Sequence, residues 1–493
     1  MANEHAKIDV KQAQANNAAT SAAGTPGSAT VASSSTDGAA SSTATATAAR
    51  KLSVKNMVTY GLIQMVPIAP FAIYASVYNA SGGMPALPYL IGFIGMLFTV
   101  FSFAVMIPLF PSSGSIYTYC SRAIAPIVGF IAGWLMLMQY LITPDLMFIQ
   151  AGQALNQFIH AVPVWAWCLI FLSFVAFVSM RSLKNIVRID MVALIAELIV
   201  FTVFIVLGIV YIVGHPETSD FSFSNFFNPK AFNLSGMMSG VSLCAMSFVG
   251  FGCVATLTEE SLNPKKGPAR AMLIIVLILG VMFVGLCYIT SCIDCKGAAT
   301  GALSQQALME ADPNTGFYVL ANRIGGGWYG IVCAVANALA LGVFTSLAAT
   351  VSISRVIYVM SQSGALPKIL GKKNVKTNVP TSATVFVNVL SLAMIFLLIQ
   401  FGMTDVARLS NFGALATYCL LNIAVLWYCF FRKKEKLSFV RAFVLPLCGA
   451  LVTGAIFFSI DMRVALLGWI WVAVGVVYYF MATRVFKKQI NLG

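Results

Sequence analysis

Apolar residues along this chain fall into long blocks, each close to the 20 or so residues that a helix needs to cross a bilayer. Twelve such blocks lie near residues 57–79, 86–110, 126–156, 163–180, 189–213, 237–257, 271–292, 327–353, 380–400, 406–430, 440–460 and 464–483. Only Ala80-Ser81-Gly82-Gly83-Met84-Pro85 separates the first two, and the longest polar excursions are 214–236, 293–326 and 354–379. The pattern predicts an all-α membrane protein of twelve transmembrane helices.

Two of the spans carry residues that interrupt a helix at mid-membrane. Span 1 has Pro67 and Pro70, and span 6 has Phe248-Val249-Gly250-Phe251-Gly252. A proline removes a backbone donor and frees carbonyls a turn earlier, whereas glycine opens backbone angles that other residues avoid. Lipid cannot satisfy the exposed peptide groups, so such breaks persist only where protein or a water-filled cavity covers them. Five spans separate the two starts, so spans 1 and 6 enter the membrane in opposite directions. The expectation is a five-plus-five inverted repeat, about 57–213 and 237–430, followed by two extra helices at about 440–483. The halves share little direct identity, so the repeat rests on break position and orientation. Discontinuous helices at matching places in two halves point to a central binding site. The candidates there are Ile68, Ala69 and Pro70 in span 1 and Phe248, Gly250, Phe251 and Gly252 in span 6. A plain proline kink and close helix packing at the glycines are the structural alternatives.

Composition agrees with the blocks. Of 493 residues 59% are hydrophobic and 9% are charged, against about 25% charge in soluble domains. The formal charge of +14 does not imply nucleic acid binding, because the basic residues are spread among short loops between apolar spans. With the N-terminus inside, 23 Lys and Arg fall in inside segments and 5 in outside ones. This asymmetry predicts cytoplasmic termini and a multi-pass protein of the plasma membrane. Residues 1–49, rich in Ala, Ser, Thr and Gly, lack the apolar content to fold and read as a disordered cytoplasmic tail. The membrane body is expected over 50–485, with a cytoplasmic end at 486–493. Most of the 11 Cys lie in apolar spans, where Cys acts as a small hydrophobe. Cys292-x-x-Cys295 lies just beyond one and fits chance or a small outer disulfide better than a metal site. His5, His160 and His215 are all in loops or the tail, so no metal or general base is expected.

Acidic residues inside a membrane are costly and default to functional hypotheses. Asp145 in span 3 and Glu197 in span 5 are the candidates for coupling to an ion. Glu259 and Glu260 sit where span 6 leaves the membrane; they fit either ion pairs with loop Lys or Arg, or a gate closed against a basic residue such as Arg122.

Four motifs carry a family likeness. They are Pro111-Ser112-Ser113-Gly114-Ser115-Ile116-Tyr117, the Phe248–Gly252 break, Glu259-Glu260 with Asn263-Pro264 and Pro268-Ala269-Arg270, and Ser354-Arg355 with Tyr358, Met360 and Leu366-Pro367. With them, roughly residues 52–485 resemble the amino acid–polyamine–organocation superfamily of permeases. Asn411-Phe412-Gly413-Ala414-Leu415 and Leu445–Leu451 look most like its putrescine-importer branch. The resemblance implies the inverted-repeat fold and places Tyr140 near the site. Five residues on, Asp145 is turned about 140° from Tyr140 on an ideal helix. The resemblance also exposes a departure: the importers carry Phe-x-Gly-Phe-Asp in span 6, and here the acid's position is Gly252.

The expected function is that of a secondary transporter, not an enzyme, working without a cofactor. Half-helix N-termini suit a substrate carboxylate and freed carbonyls suit an ammonium. An amino acid offers both groups, whereas a diamine needs an acid that Gly252 does not supply. Amino acid therefore ranks slightly ahead of polyamine. No Gly-x-x-x-x-Gly-Lys-Ser/Thr motif for ATP occurs, so an ion gradient is the expected energy source. The proton comes first, with sodium or ion-free exchange as alternatives. A nutrient sensor with the same fold is the reading from another class.

Overall fold

The computed structural model describes residues 51–181, 183–297, 303–374, 379–432 and 438–485. The tail at 1–49 and the end at 486–493 lie outside the described residues. Among those described the chain is helical and forms no β-strand; one isolated parallel bridge joins Leu52 to Ser261. Ten helices of 18 residues or more are apolar enough to cross a bilayer, and a bent pair adds another. The 16-residue apolar helix Val164–Ser179 occupies the fourth position, completing the twelve expected spans.

Span 1 is the bent pair Val54–Met65 and Pro70–Ala80. Span 2 is Ala86–Leu109, span 3 Pro126–Asn156, span 5 Leu183–Gly214 and span 7 Gly267–Ser291. Span 6 is Leu234–Phe248, continuing as the 3-10 helix Val249–Glu260. Span 8 joins Tyr329–Leu339 to Ser346–Gln362 through a π-helical turn at Ala340–Thr345. Span 9 is Thr381–Leu398, span 10 Met403–Trp427, span 11 Leu445–Phe458 and span 12 Met462–Phe480.

Span 8 runs nine residues beyond its expected end, because its polar stretch does not leave the helix. Thr350 and Ser354 donate their hydroxyls to the carbonyls of Ser346 and Thr350, at 2.8 and 2.7 Å. A Ser or Thr that bonds back one turn is helical although it reads as a loop former. Three short helices, Ser115–Ala123, Gln305–Ala311 and Gly316–Gly325, lie in stretches that carry no spanning signal.

Burial locates the centre. The most apolar window of span 6 is 94% buried and that of span 3 is 72%, whereas spans 11 and 12 are 22% and 17% buried. Spans 6 and 3 therefore form the core, and spans 11 and 12 present apolar faces to lipid. Span 10 is tied to this centre by buried polar contacts. Asn411 donates to the Ser242 carbonyl at 2.6 Å, and Ser102 of span 2 donates to Asn422 at 2.5 Å.

Candidate functional site

The break in span 1 follows directly from its sequence. Pro67 disfavours helical backbone at the residue before it, and Val66 sits at φ +53° and ψ 106°. For a β-branched residue this conformation costs about 1–2 kcal/mol. The first half-helix ends at Met65, and Pro70 opens the second at a bend of 55°. Proline suits that first position, where its missing N–H has no helical partner to lose. One peptide group near the break is met by a side chain: Thr345, in the π turn of span 8, donates to the Ile63 carbonyl at 3.3 Å.

Span 6 departs from expectation. It does not unwind at the glycines; at Val249 it tightens from α to 3-10 helix and continues to Glu260. The glycines serve close approach instead. A Cβ built at Gly250 would stand 2.8 Å from the Gln64 carbonyl oxygen, so span 6 lies directly against the end of the first half-helix. At Gly252 a built Cβ would stand 3.1 Å from the Tyr418 hydroxyl oxygen and 3.8 Å from that of Tyr140. Tyr418 in turn donates to the Val249 carbonyl at 2.8 Å, satisfying a group at the α-to-3-10 junction.

The two phenylalanines point different ways. Phe248 packs edge-on against Phe283 of span 7 and tilted against Tyr89 of span 2. Phe251 stacks on Tyr418 with ring centroids 5.3 Å apart and meets Phe103 edge-on. Both are fully buried, and neither lines the cavity at the break.

That cavity has a volume of about 30 Å³, enough for a water or two. Ala69 lines it, with Gln64, Met65, Val66 and Ile73 from span 1, Met147 and Gln150 from span 3, Met246 and Ser247 from span 6, and Leu341 and Thr345 from span 8. None of these is charged. Gln64 is buried, and its side-chain oxygen has no hydrogen-bond partner among the described residues. A small molecule with an ammonium group would supply the missing donor. Ile68 is buried beside the cavity without lining it, and Pro70 caps the second half-helix.

The model of the family described as amino acid permease matches residues 57–490. The chain belongs to that family. It is 27% identical over 449 residues to the low-affinity putrescine importer PlaP of Escherichia coli strain K12, covering 90% of this chain and 95% of that protein. It is 22% identical over 477 residues to the branched-chain amino acid permease BcaP of Bacillus subtilis strain 168, covering 89% and 94%. A gamma-aminobutyric acid permease of the same organism is 22% identical over 464 residues, again covering 89% and 94%. The protein is thus a membrane transporter and not an enzyme.

Elsewhere in this permease the acidic candidates separate. Asp145 is fully buried in span 3, and among the described residues neither carboxylate oxygen has a hydrogen-bond partner. Its polar neighbours are the Ser391 hydroxyl of span 9 and the Cys168 thiol of span 4. Tyr140 faces Gly252 on the other side of the same helix, the separation that five helical positions give. Glu197 is buried on span 5, which packs against span 1 and the π turn of span 8.

The Glu259–Glu260 end of span 6 is heavily tied. Glu260 pairs with Arg355 of span 8 at 3.0 Å, and Glu259 accepts the Ser113 N–H at 2.8 Å. Leu52 donates its N–H to the Glu260 carbonyl at 2.6 Å, and its own carbonyl accepts the Leu262 N–H at 2.9 Å. Arg122 lies over the Phe110 ring, 5.8 Å from its centroid. At the other end, the short helix Gln305–Ala311 covers span 1: Asn79 donates to the Met309 carbonyl at 2.7 Å and Gln305 to the Tyr74 hydroxyl at 3.3 Å. Cys292 and Cys295 carry free thiols.

Sequence reading missed Gln64, Gln150, Thr345 and Tyr418 at the centre and Arg355 at the clamp. Gln64 left a signal, as a polar residue three positions before Pro67 in an apolar span. Tyr418 left none, since its role depends on how span 10 rotates.

Proposed function

We propose that this permease takes up an amino acid across the plasma membrane, with both termini cytoplasmic, by alternating access coupled to a proton. The observation that carries the substrate reading is the wholly neutral lining of the cavity at the break in span 1. A zwitterion needs an acceptor for its ammonium and donors for its carboxylate. The unpartnered Gln64 oxygen supplies the first, and the side-chain amides of Gln64 and Gln150 in the lining supply the second, without a protein charge. Tyr140, Phe251 and Gly252 lie outside the lining of that cavity and would meet substrate only once the site opens, and Gly250 sets the spacing of its two helices. A diamine would bring two cations to a lining that holds no acid.

Coupling is assigned to Asp145, with Glu197 as the second carboxylate. An ionised carboxylate buried without partners costs several kcal/mol. Residence of a proton on Asp145 is then linked to whether the surrounding spans admit water. The clamp of Glu260 on Arg355, backed by Glu259 and Arg122, closes the cytoplasmic side, and no metal or cofactor enters the cycle.

A second reading, a putrescine importer, is favoured by the full-length similarity to PlaP. Uptake into proteoliposomes separates the two. The expected result is amino acid accumulation that grows with an inward proton gradient and is not competed by putrescine. Saturable putrescine uptake that amino acids leave untouched overturns the substrate reading. Uptake indifferent to the gradient overturns the coupling. Binding without any uptake favours a sensor.

A further inference from the structure

A second cavity opens where spans 4, 8 and 9 reach one face of the bundle. Its polar lining is Ser179, Arg181, Ser354, Arg355 and Thr384, with apolar walls from Val351, Val379 and Pro380. Among the described residues it contains two guanidinium groups, three hydroxyls and no acid. Arg181 lies two residues past the end of span 4 and Pro380 one residue before span 9, so the cavity sits at headgroup depth.

The charge inside is not fully used. Arg355 gives Nη2 to Glu260 at 3.0 Å, whereas its Nη1 is buried and has no hydrogen-bond partner among the described residues. Arg181 is exposed, with its guanidinium 4.7 Å from the centroid of the Phe177 ring. Two cations with donors to spare, walled by small hydroxyls, fit a phosphate oxygen.

The outer faces of the flanking helices add a second requirement. Span 4 exposes Ile170, Phe174 and Phe177, and span 9 exposes Val385, Val389 and Leu392. Each set recurs every three or four residues, so each forms one stripe along its helix. Spans 4 and 9 pack side by side, which brings both stripes to the mouth of the cavity. A free anion would use the arginines and leave these stripes idle; a phospholipid uses both.

We propose that this cavity, of about 20 Å³, receives one phosphate oxygen of an anionic phospholipid whose headgroup stays at its mouth, with the acyl chains lying along spans 4 and 9. Basic pockets between helices on the cytoplasmic side are suited to such headgroups. The phosphate supplies the acceptor that Arg355 Nη1 lacks. It thereby holds the same guanidinium that grips Glu260, so lipid occupancy reinforces the clamp.

The test is thermal unfolding of the purified full chain in neutral detergent, titrated with phosphatidylglycerol, phosphatidylcholine or inorganic phosphate. Phosphatidylglycerol is expected to raise the midpoint saturably and the other two to leave it in place. Arg181→Ala should weaken the apparent affinity for phosphatidylglycerol about fivefold, the weight of one basic residue at a membrane surface. Arg181→Lys, which keeps the charge, should retain most of it. The assignment is overturned by a midpoint that phosphatidylglycerol does not move, or by an equal effect of phosphatidylcholine. Inorganic phosphate acting as strongly as the lipid, or identical titrations for Arg181→Ala and the unaltered chain, overturns it equally.

Discussion

At the scale of single residues, the two glycines of span 6 behave differently. At Gly250 the obstacle to a side chain is backbone, the Gln64 carbonyl oxygen, which cannot turn aside. Gly250→Leu should force the first half-helix from span 6 and abolish uptake, read by transport on protein that still elutes as a single species. At Gly252 the nearest atoms are side-chain atoms of Tyr418, with the Tyr140 hydroxyl next, and these can give by a few tenths of an ångström where backbone cannot. Gly252→Asp should be accepted and place a carboxylate beside the Tyr418 and Tyr140 hydroxyls. A charge-assisted hydrogen bond there is worth about 1.5–3 kcal/mol, so the inhibition constant of putrescine against amino acid uptake should fall at least about tenfold. An unchanged constant would show that the bound amine lies elsewhere. Among the described residues Asp145 has no charged partner to lose, only the Ser391 hydroxyl beside it, so Asp145→Asn should leave substrate exchange intact while uptake no longer responds to an imposed pH gradient. Loss of exchange together with uptake would mark Asp145 as structural. Gly250 and Gly252 stood out in the sequence as small residues, but their neighbours did not. Which face a glycine presents depends on helix rotation, which is set by packing across the bundle.

At the scale of helices, the two interruptions were not equally legible. Pro67 bars helical backbone at Val66 through local sterics, and the bend falls where the sequence placed it, although the positive φ of Val66 is not what that rule alone would choose. No local rule chooses between unwinding and 3-10 tightening at Val249–Glu260. That outcome depends on contacts from outside the span, such as the Tyr418 hydroxyl on the Val249 carbonyl. The far end of this 3-10 helix is held by the ion pair of Glu260 with Arg355. The Glu260 side chain is 41% exposed, so screening limits the pair to about 0.7 kcal/mol. Glu260→Ala should then raise the open population on that side about threefold. Cys253, buried one position beyond Gly252, reports the opening when it is the sole cysteine. Its labelling by a membrane-impermeant maleimide from the cytoplasmic side should quicken by the same factor. An unchanged rate would mean that the backbone pairing of Leu52 with Glu260 and Leu262 closes this end without the ion pair.

At the scale of the whole molecule, eight of the twelve spans fall into two packed groups. Spans 1, 2, 6 and 7 pack on one another, as do spans 3, 4, 8 and 9. The small cavity and the breaks lie where these groups meet. A cavity of about 30 Å³ cannot take an amino acid, so transport requires the groups to part, and the contacts between them must be broken and remade in each cycle. One such contact joins Tyr60 of span 1 to Ser352 of span 8, hydroxyl to hydroxyl at 3.3 Å. Joining Tyr60→Cys to Ser352→Cys with a reducible bifunctional thiol reagent should stop uptake, and reduction should restore it. The control stays within one group. Asn388 of span 9 donates to Ser179 of span 4 at 3.4 Å, and the same reagent joining Asn388→Cys to Ser179→Cys should leave uptake unaffected. If the first cross-link left transport running, the moving boundary would not pass between spans 1 and 8. If both cross-links stopped it, spans 4 and 9 would themselves move relative to each other, and the four-helix group could not act as a rigid frame.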